Sequence, residues 1–188
     1  MERWLSCVLV YSICLKDIIS DLKKLKKASK IKMTKISCKK VEGLIHKYVN
    51  GSRRKRGLNT LKSNWGLRNL ARSHSWRMAK RKKIWHGDGV FQARDKISYP
   101  RGIWGFILSI FTPHSGHSGE NVAMCPIGRI KGIKGSVRNS RDLARAFHRM
   151  WMKSPGHKQN ILNSKFSLIG VGIKKKGKYF YATQVFYG

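Results

Sequence analysis

The chain has 188 residues, enough for one domain of middling size whose core needs no covalent staples. Forty-one Lys and Arg against eight Asp and Glu give a net charge of +33, which favours anionic neighbours such as phosphate polymers, acidic headgroups or acidic glycans and leaves the activity open. The four cysteines, Cys7, Cys14, Cys38 and Cys125, are scattered and contain no CxxC pair, which argues against a disulfide framework.

Residues 1–40 differ in composition from the rest and read as a basic leader, with a single domain over 41–188. "WLSCVLVYSICL" is twelve largely apolar residues, too few to span a bilayer as a helix and suited to the apolar part of a signal sequence, although no small-x-small cleavage site follows. Leu15, Ile18, Leu22 and Leu25 then recur at helical spacing among lysines, as in a basic amphipathic helix on an anionic membrane. A solvated basic leader and a natural start further along, for instance at Met33, fit the same residues.

From Val41 the pattern is that of a mixed α and β domain. Val41, Leu44, Ile45 and Tyr48 share one helical face, and Asn50-Gly51 marks the end of that helix or its neighbourhood. Leu67, Leu70, Ala71, His74 and Met78 define a second helix. A third starts near Ser140, read as its N-cap with Asp142 in the first turn, and runs through Leu143, Phe147, Met150 and Trp151 until Pro155 and Gly156 end it. A short helix "HKQNIL" then begins with His157. "SLIGVGIK" and "KYFYATQVFYG", rich in β-branched and aromatic residues and separated by "KKGK", read as a β-hairpin.

Taken in order, "NGSRRKRGLNTL", "ARSHSWRMAKRKKIWH", "GHSGENVA", "WMKSPGHKQNIL", "IGVGI" and "YATQVFYG" resemble the superfamily of cysteine-rich secretory proteins, antigen 5 and pathogenesis-related proteins, in its cysteine-poor bacterial and archaeal form. The resemblance covers about Glu42 to Gly188. It implies an α+β fold: a three-layer α-β-α sandwich around a mixed, mainly antiparallel sheet, usually exported, with an open cleft lined by histidine and glutamate. The matching cleft positions are His86, Glu120 and His157. A fourth, a glutamate in the eukaryotic branch, is Ser154 here, so a full two-histidine, two-glutamate set is not expected. Asn50 and Arg53 match the family's first-helix asparagine and arginine and read as helix-end and packing residues, while Val49 stands where the family usually has histidine. Asn121 is expected to fix a turn.

Imidazoles exchange protons near neutral pH, bind metals and serve as hydrogen-bonding struts. Two of them converging with a carboxylate suffice for an open divalent site or an activated water. His86 and His157 are therefore candidate ligands for zinc or another divalent cation. "HSGHSGE" adds His114 and His117 at three-residue spacing before Glu120, although that segment reads as a loop whose histidines face solvent equally well. "IWGFILSIF", Ile103–Phe111, reads either as a buried strand or as an exposed apolar flap beside the cleft.

Two function classes follow. One is an extracellular or cell-surface binding module for a lipid, sterol-like or envelope-polymer ligand, with anionic envelope components or a membrane surface as partners. The other is a metal-dependent hydrolase using the same cleft. Nucleic-acid binding ranks last, because it rests on charge alone and backbone attraction is generic.

Overall fold

A computed structural model of the chain describes residues 35–87, 116–130 and 136–188. The chain divides into two compact units, 1–33 and 34–188, of which the first lies wholly outside the described residues. The amphipathic leader pattern, the apolar run Ile103–Phe111 and His114 also lie outside them. The account below concerns the second unit.

Helix α1, Cys38–Arg54, starts before the expected boundary at residue 41: Ser37 caps it by accepting from the Lys40 amide (3.3 Å), and Ile36 and Cys38 pack against the core. Val41, Ile45 and Val49 are fully buried, whereas Leu44 and Tyr48 sit at the margin of the same cluster. The helix continues through Asn50-Gly51, because Asn50 is occupied in holding Leu61: its Oδ1 accepts from the Leu61 amide (2.9 Å) and its Nδ2 donates to the Leu61 carbonyl (3.0 Å). One turn on, Arg53 is fully buried and donates to the carbonyls of Asn59 (2.7 Å), Ile161 (3.0 Å), Asn163 (2.8 Å) and Phe166 (3.2 Å). Burial pushes its pKa below the usual arginine value.

Strand β1, Lys62–Ser63, leads into helix α2, Trp65–Arg81, capped by Asn64 accepting from the Leu67 amide (2.9 Å). After the gap come β2, Ser118–Pro126, and a small ribbon of β3, Gly128–Arg129, and β4, Ser136–Val137. Helix α3, Ser140–Lys153, has Asn139 rather than Ser140 as its cap: Asn139 Oδ1 accepts from the Arg141 and Asp142 amides (2.9 Å each), and Ser140 Oγ instead accepts from the Ser37 amide (3.0 Å). Pro155 and Gly156 are not only a stop. They open helix α4, Pro155–Leu162, since proline disfavours helical backbone at Ser154 and is itself preset for the first helical position.

Strands β5, Leu168–Lys176, and β6, Tyr179–Tyr187, form the expected hairpin, turning at Gly177 (φ +57°) and Lys178. The sheet order is β1-β5-β6-β2, parallel only between β1 and β5. Alternation along the strands sends Ile169, Val171, Ile173, Phe180, Ala182 and Phe186 to one face, where they meet α1, α3 and α4 in the main core. Trp151 anchors α3 there, stacked on Phe147 and donating from Nε1 to the Val122 carbonyl (3.2 Å). The opposite face meets α2 through Leu67, Ala71 and Val185, and through Ser75, which donates to the Gly172 carbonyl (2.9 Å). The result is the α+β, three-layer α-β-α sandwich with a mixed, mainly antiparallel sheet.

Gly170 and Gly172 explain the glycines of "IGVGI". A Cβ at either would overlap the α2 backbone at Leu67–Arg68 and Ala71–Arg72, so their absence of a side chain lets the helix lie directly on the sheet. Gly172→Ala is expected to lower stability by about 2–3 kcal/mol, since main chain cannot yield as a flexible side chain would. Arg53→Met is expected to cost more than about 3 kcal/mol by stranding several buried carbonyls. Urea unfolding of the two variants against the parent checks both values.

Candidate ligand-binding cleft

The candidate site lies on β2, an edge strand of the described sheet. The segment "SGE" expected in a loop is strand: Ser118, Gly119 and Glu120 pair with Tyr187, Phe186 and Val185 of β6. Extended backbone sends Glu120 and Asn121 to opposite faces, and each governs one wall.

Glu120 points toward α2. Its Oε1 accepts from the Gly87 amide (2.9 Å) and lies 3.2 Å from His86 Nδ1, so the chain leaving α2 is strapped onto β2 by a carboxylate with a side chain almost wholly buried. Beneath the strap sits His74. The Arg77 guanidinium donates to its Nδ1 (3.3 Å), so the ring hydrogen is on Nε2, which donates to the Trp85 carbonyl (2.9 Å) and stands 3.9 Å from Glu120 Oε2. Gly87 passes so close over this ring that a Cβ there would collide with it. Glu120 Oε2 is buried and accepts no hydrogen bond within the described residues.

Asn121 points the other way and is not a turn residue. Its Nδ2 donates to the His157 carbonyl (3.0 Å) and to Gln184 Oε1 (3.0 Å), while Asn160 Nδ2 donates to Asn121 Oδ1 (2.9 Å) and to the Glu120 carbonyl (3.1 Å). These bonds tie the first and second turns of α4 to β2, and so place His157 opposite His86 with 6.1 Å between ring centroids. Burial, and secondarily His86, lower the His157 pKa below its ordinary value. His86, by contrast, has a side chain 64% exposed and forms the open side of the cleft.

His86, Glu120 and His157 are thus brought together. Ser154 is the residue from which α4 departs: its carbonyl accepts from the Lys158 amide (2.9 Å), and its side chain makes no capping bond. His117 is not part of the group. It is exposed with its Nε2 3.2 Å from Lys165 Nζ, and a position three residues from Glu120 in extended chain faces away from it. A resident metal is poorly served. Among the described residues no group of three or more His, Cys, Asp or Glu side chains is arranged to hold one, and Glu120 Oε1 is already taken by Gly87 and His86.

The family model described as "Cysteine-rich secretory protein family" matches residues 46–187, and the chain belongs to that family. An outer surface protein of Borrelia burgdorferi is similar at 18% identity and a TM-score of 0.55, covering 82% of this chain and 97% of its own. An extracellular protein containing an SCP domain, from Bacillus anthracis, is similar at 23% identity and a TM-score of 0.51; 78% of this chain aligns, spanning 39% of the Bacillus chain. At these identities the likeness concerns the fold. Comparison with curated proteins finds no significant match.

His74, expected only as a helix-face residue, and Asn160 and Gln184 join the group through the fold. A histidine on the apolar stripe of α2 was the available signal for the first; the other two acquire meaning only through strand register.

The lowered pKa of His157 has a signed consequence. In the unfolded chain histidine titrates near 6.5, so as pH falls below that value the unfolded state takes up the proton first and stability falls until the folded-state pKa is passed. His148, half-buried between α1 and α3 and held down to about 4 by burial, acts in the same direction. Stability is expected to be retained above pH 6.5 and to decline toward pH 4. An NMR titration should find the His157 midpoint below 6.5. His86→Ala should restore only the smaller part of the shift, because burial is its larger cause.

Proposed function

We propose that this protein is an extracellular or cell-surface binding module whose cleft, built from His86, Glu120 and His157 with Ser154 beside it, accepts a hydroxyl-bearing ligand: a lipid, a sterol-like molecule or an envelope polymer. The observation that carries this reading is a pair of ties from adjacent residues of β2: Glu120 Oε1 meets the His86 ring at Nδ1, and Asn121 Nδ2 donates to the main-chain carbonyl of His157, fixing the turn of α4 that carries the second imidazole. Within the described residues no Ser, Thr or Cys side chain is hydrogen-bonded to either imidazole, so the arrangement supports recognition better than nucleophilic catalysis. The outer-surface and extracellular descriptions of the similar structures support the location. The net charge of +33 supports residence against anionic envelope components or a membrane surface.

The alternative, a metal-dependent hydrolase, draws on Glu120 Oε2, a buried carboxylate oxygen with no donor among the described residues. One set of measurements separates the two. Purified full-length protein is expected to retain a small lipid or glycan fragment detectable by mass spectrometry, and His157→Ala or His86→Ala to weaken rebinding of that molecule at least tenfold. Hydrolysis of peptide or ester substrates that is abolished by chelator, restored by zinc and lost in His157→Ala would overturn the binding-module reading.

A further inference from the structure

The outer edge of β5 lies on the far side of the sheet from β2 and its histidines. β1 covers this edge only at Leu168 and Ile169, where the Asn64 amide donates to the Ile169 carbonyl (3.0 Å). Further along, the Ile173 amide donates to Glu42 Oε1 (3.1 Å). Backbone groups facing one edge recur at every second residue, so Val171, midway between, directs its N–H and C=O to the same edge with no strand beside it. A cavity of about 470 Å³ opens at that point, its wall including Lys39, Glu42, Ser63, Arg68, Arg72 and Val171.

The donors and charges of this cavity are out of balance. Arg68 Nε is buried and donates to nothing within the described residues, an unfavourable state that an acceptor in the cavity would relieve. Glu42 is not that acceptor: Arg72 Nε reaches both its oxygens (3.0 and 3.1 Å), and Ile173 takes the first as well. Arg72 is neutralised by this pair, which leaves Lys39 and Arg68 as the cations facing the space. The Glu42 carboxylate in the wall opposes a doubly charged anion, whereas a single carboxylate matches the donors, and the Val171 groups, which pair with none of the described residues, offer the half-ladder that extended peptide backbone uses.

We propose that this cavity binds the free C-terminal carboxylate of a short peptide, with Arg68 Nε and the Val171 amide donating to its oxygens and Lys39 supplying counter-charge. The site shares no residue with the cleft, so it stands or falls separately from the reading above. The test is an NMR titration of the full-length ¹⁵N-labelled protein with N-acetyl-dialanine, its C-terminal amide and inorganic phosphate at constant ionic strength. The acid is expected to shift the Val171 amide and the Arg68 Nε–H resonances, and the amide to bind at least tenfold more weakly. Arg68→Gln should lose at least tenfold in affinity for the acid while His157→Ala stays unchanged. Lys39→Gln, at an exposed position that does not threaten folding, should lose about threefold. Equal binding of acid and amide, tighter binding of phosphate than of the acid, or undiminished binding in a folded Arg68→Gln protein would each overturn the proposal.

Discussion

Arg53 is a buried cation with no carboxylate beside it among the described residues, held by four main-chain carbonyls, one at Asn59 and three between Ile161 and Phe166. A guanidinium carries five donors in a rigid fork, so it can satisfy carbonyls at the turn after α1, at the end of α4 and at the entry to β5 simultaneously, which no other side chain could do from one position. Its desolvation is unfavourable and is offset only by completing the set. The consequence is positional. α4 has one strongly buried residue, Ile161, and little amphipathic drive of its own, so its C-terminal end is held by Arg53 and its N-terminal end by Asn121 and Asn160. His157 inherits its place from these polar ties.

Scarcity of carboxylates shapes the rest. The described residues contain only Glu42, Glu120 and Asp142 as acidic side chains, and two of the three are buried against opposite edges of one sheet. Glu42 joins α1, α2 and β5 by accepting from Arg72 and from the Ile173 amide; Glu120 joins β2 to the segment after α2. In a chain so rich in cations a surface carboxylate would find many weak partners, whereas each of these two is buried and accepts from a backbone amide beside one side-chain partner, Arg72 for Glu42 and His86 for Glu120. Glu42 also covers the Ile173 amide on the outer edge of β5, which would otherwise template pairing with another chain.

The cleft was legible in the sequence to the extent that its residues are chemically distinctive and sit in recognisable local strings. His86, Glu120 and His157 were the positions that the family resemblance implied, because they sit inside the strings that carry it. Their partners were less visible. Asn121 read as a turn residue and the "HSGHSGE" string as a loop, because Ser, Gly and Asn are weak strand formers; pairing with β6 overrides that preference. The same override removes His117 from any common site with Glu120. His74 read as one more position on an apolar helical face, and its role under the strap depends on Gly87, thirteen residues later, folding back across it.

The sequence by itself determined the helices and the terminal hairpin, because their signals are periodic and local: apolar residues at three and four along α1, α2 and α3, and alternation along β5 and β6. It also determined the family resemblance, since the motif strings are local too. Tertiary structure alone decided which helix ends carry polar ties, which face of β2 serves which wall, and which donors are left without acceptors. Those outcomes depend on contacts between residues dozens of positions apart, where a single-residue change of strand register would exchange the faces of Glu120 and Asn121. No local pattern encodes that register; it follows from burying Phe180, Ala182 and Phe186 on one face while Gly170 and Gly172 admit α2 on the other.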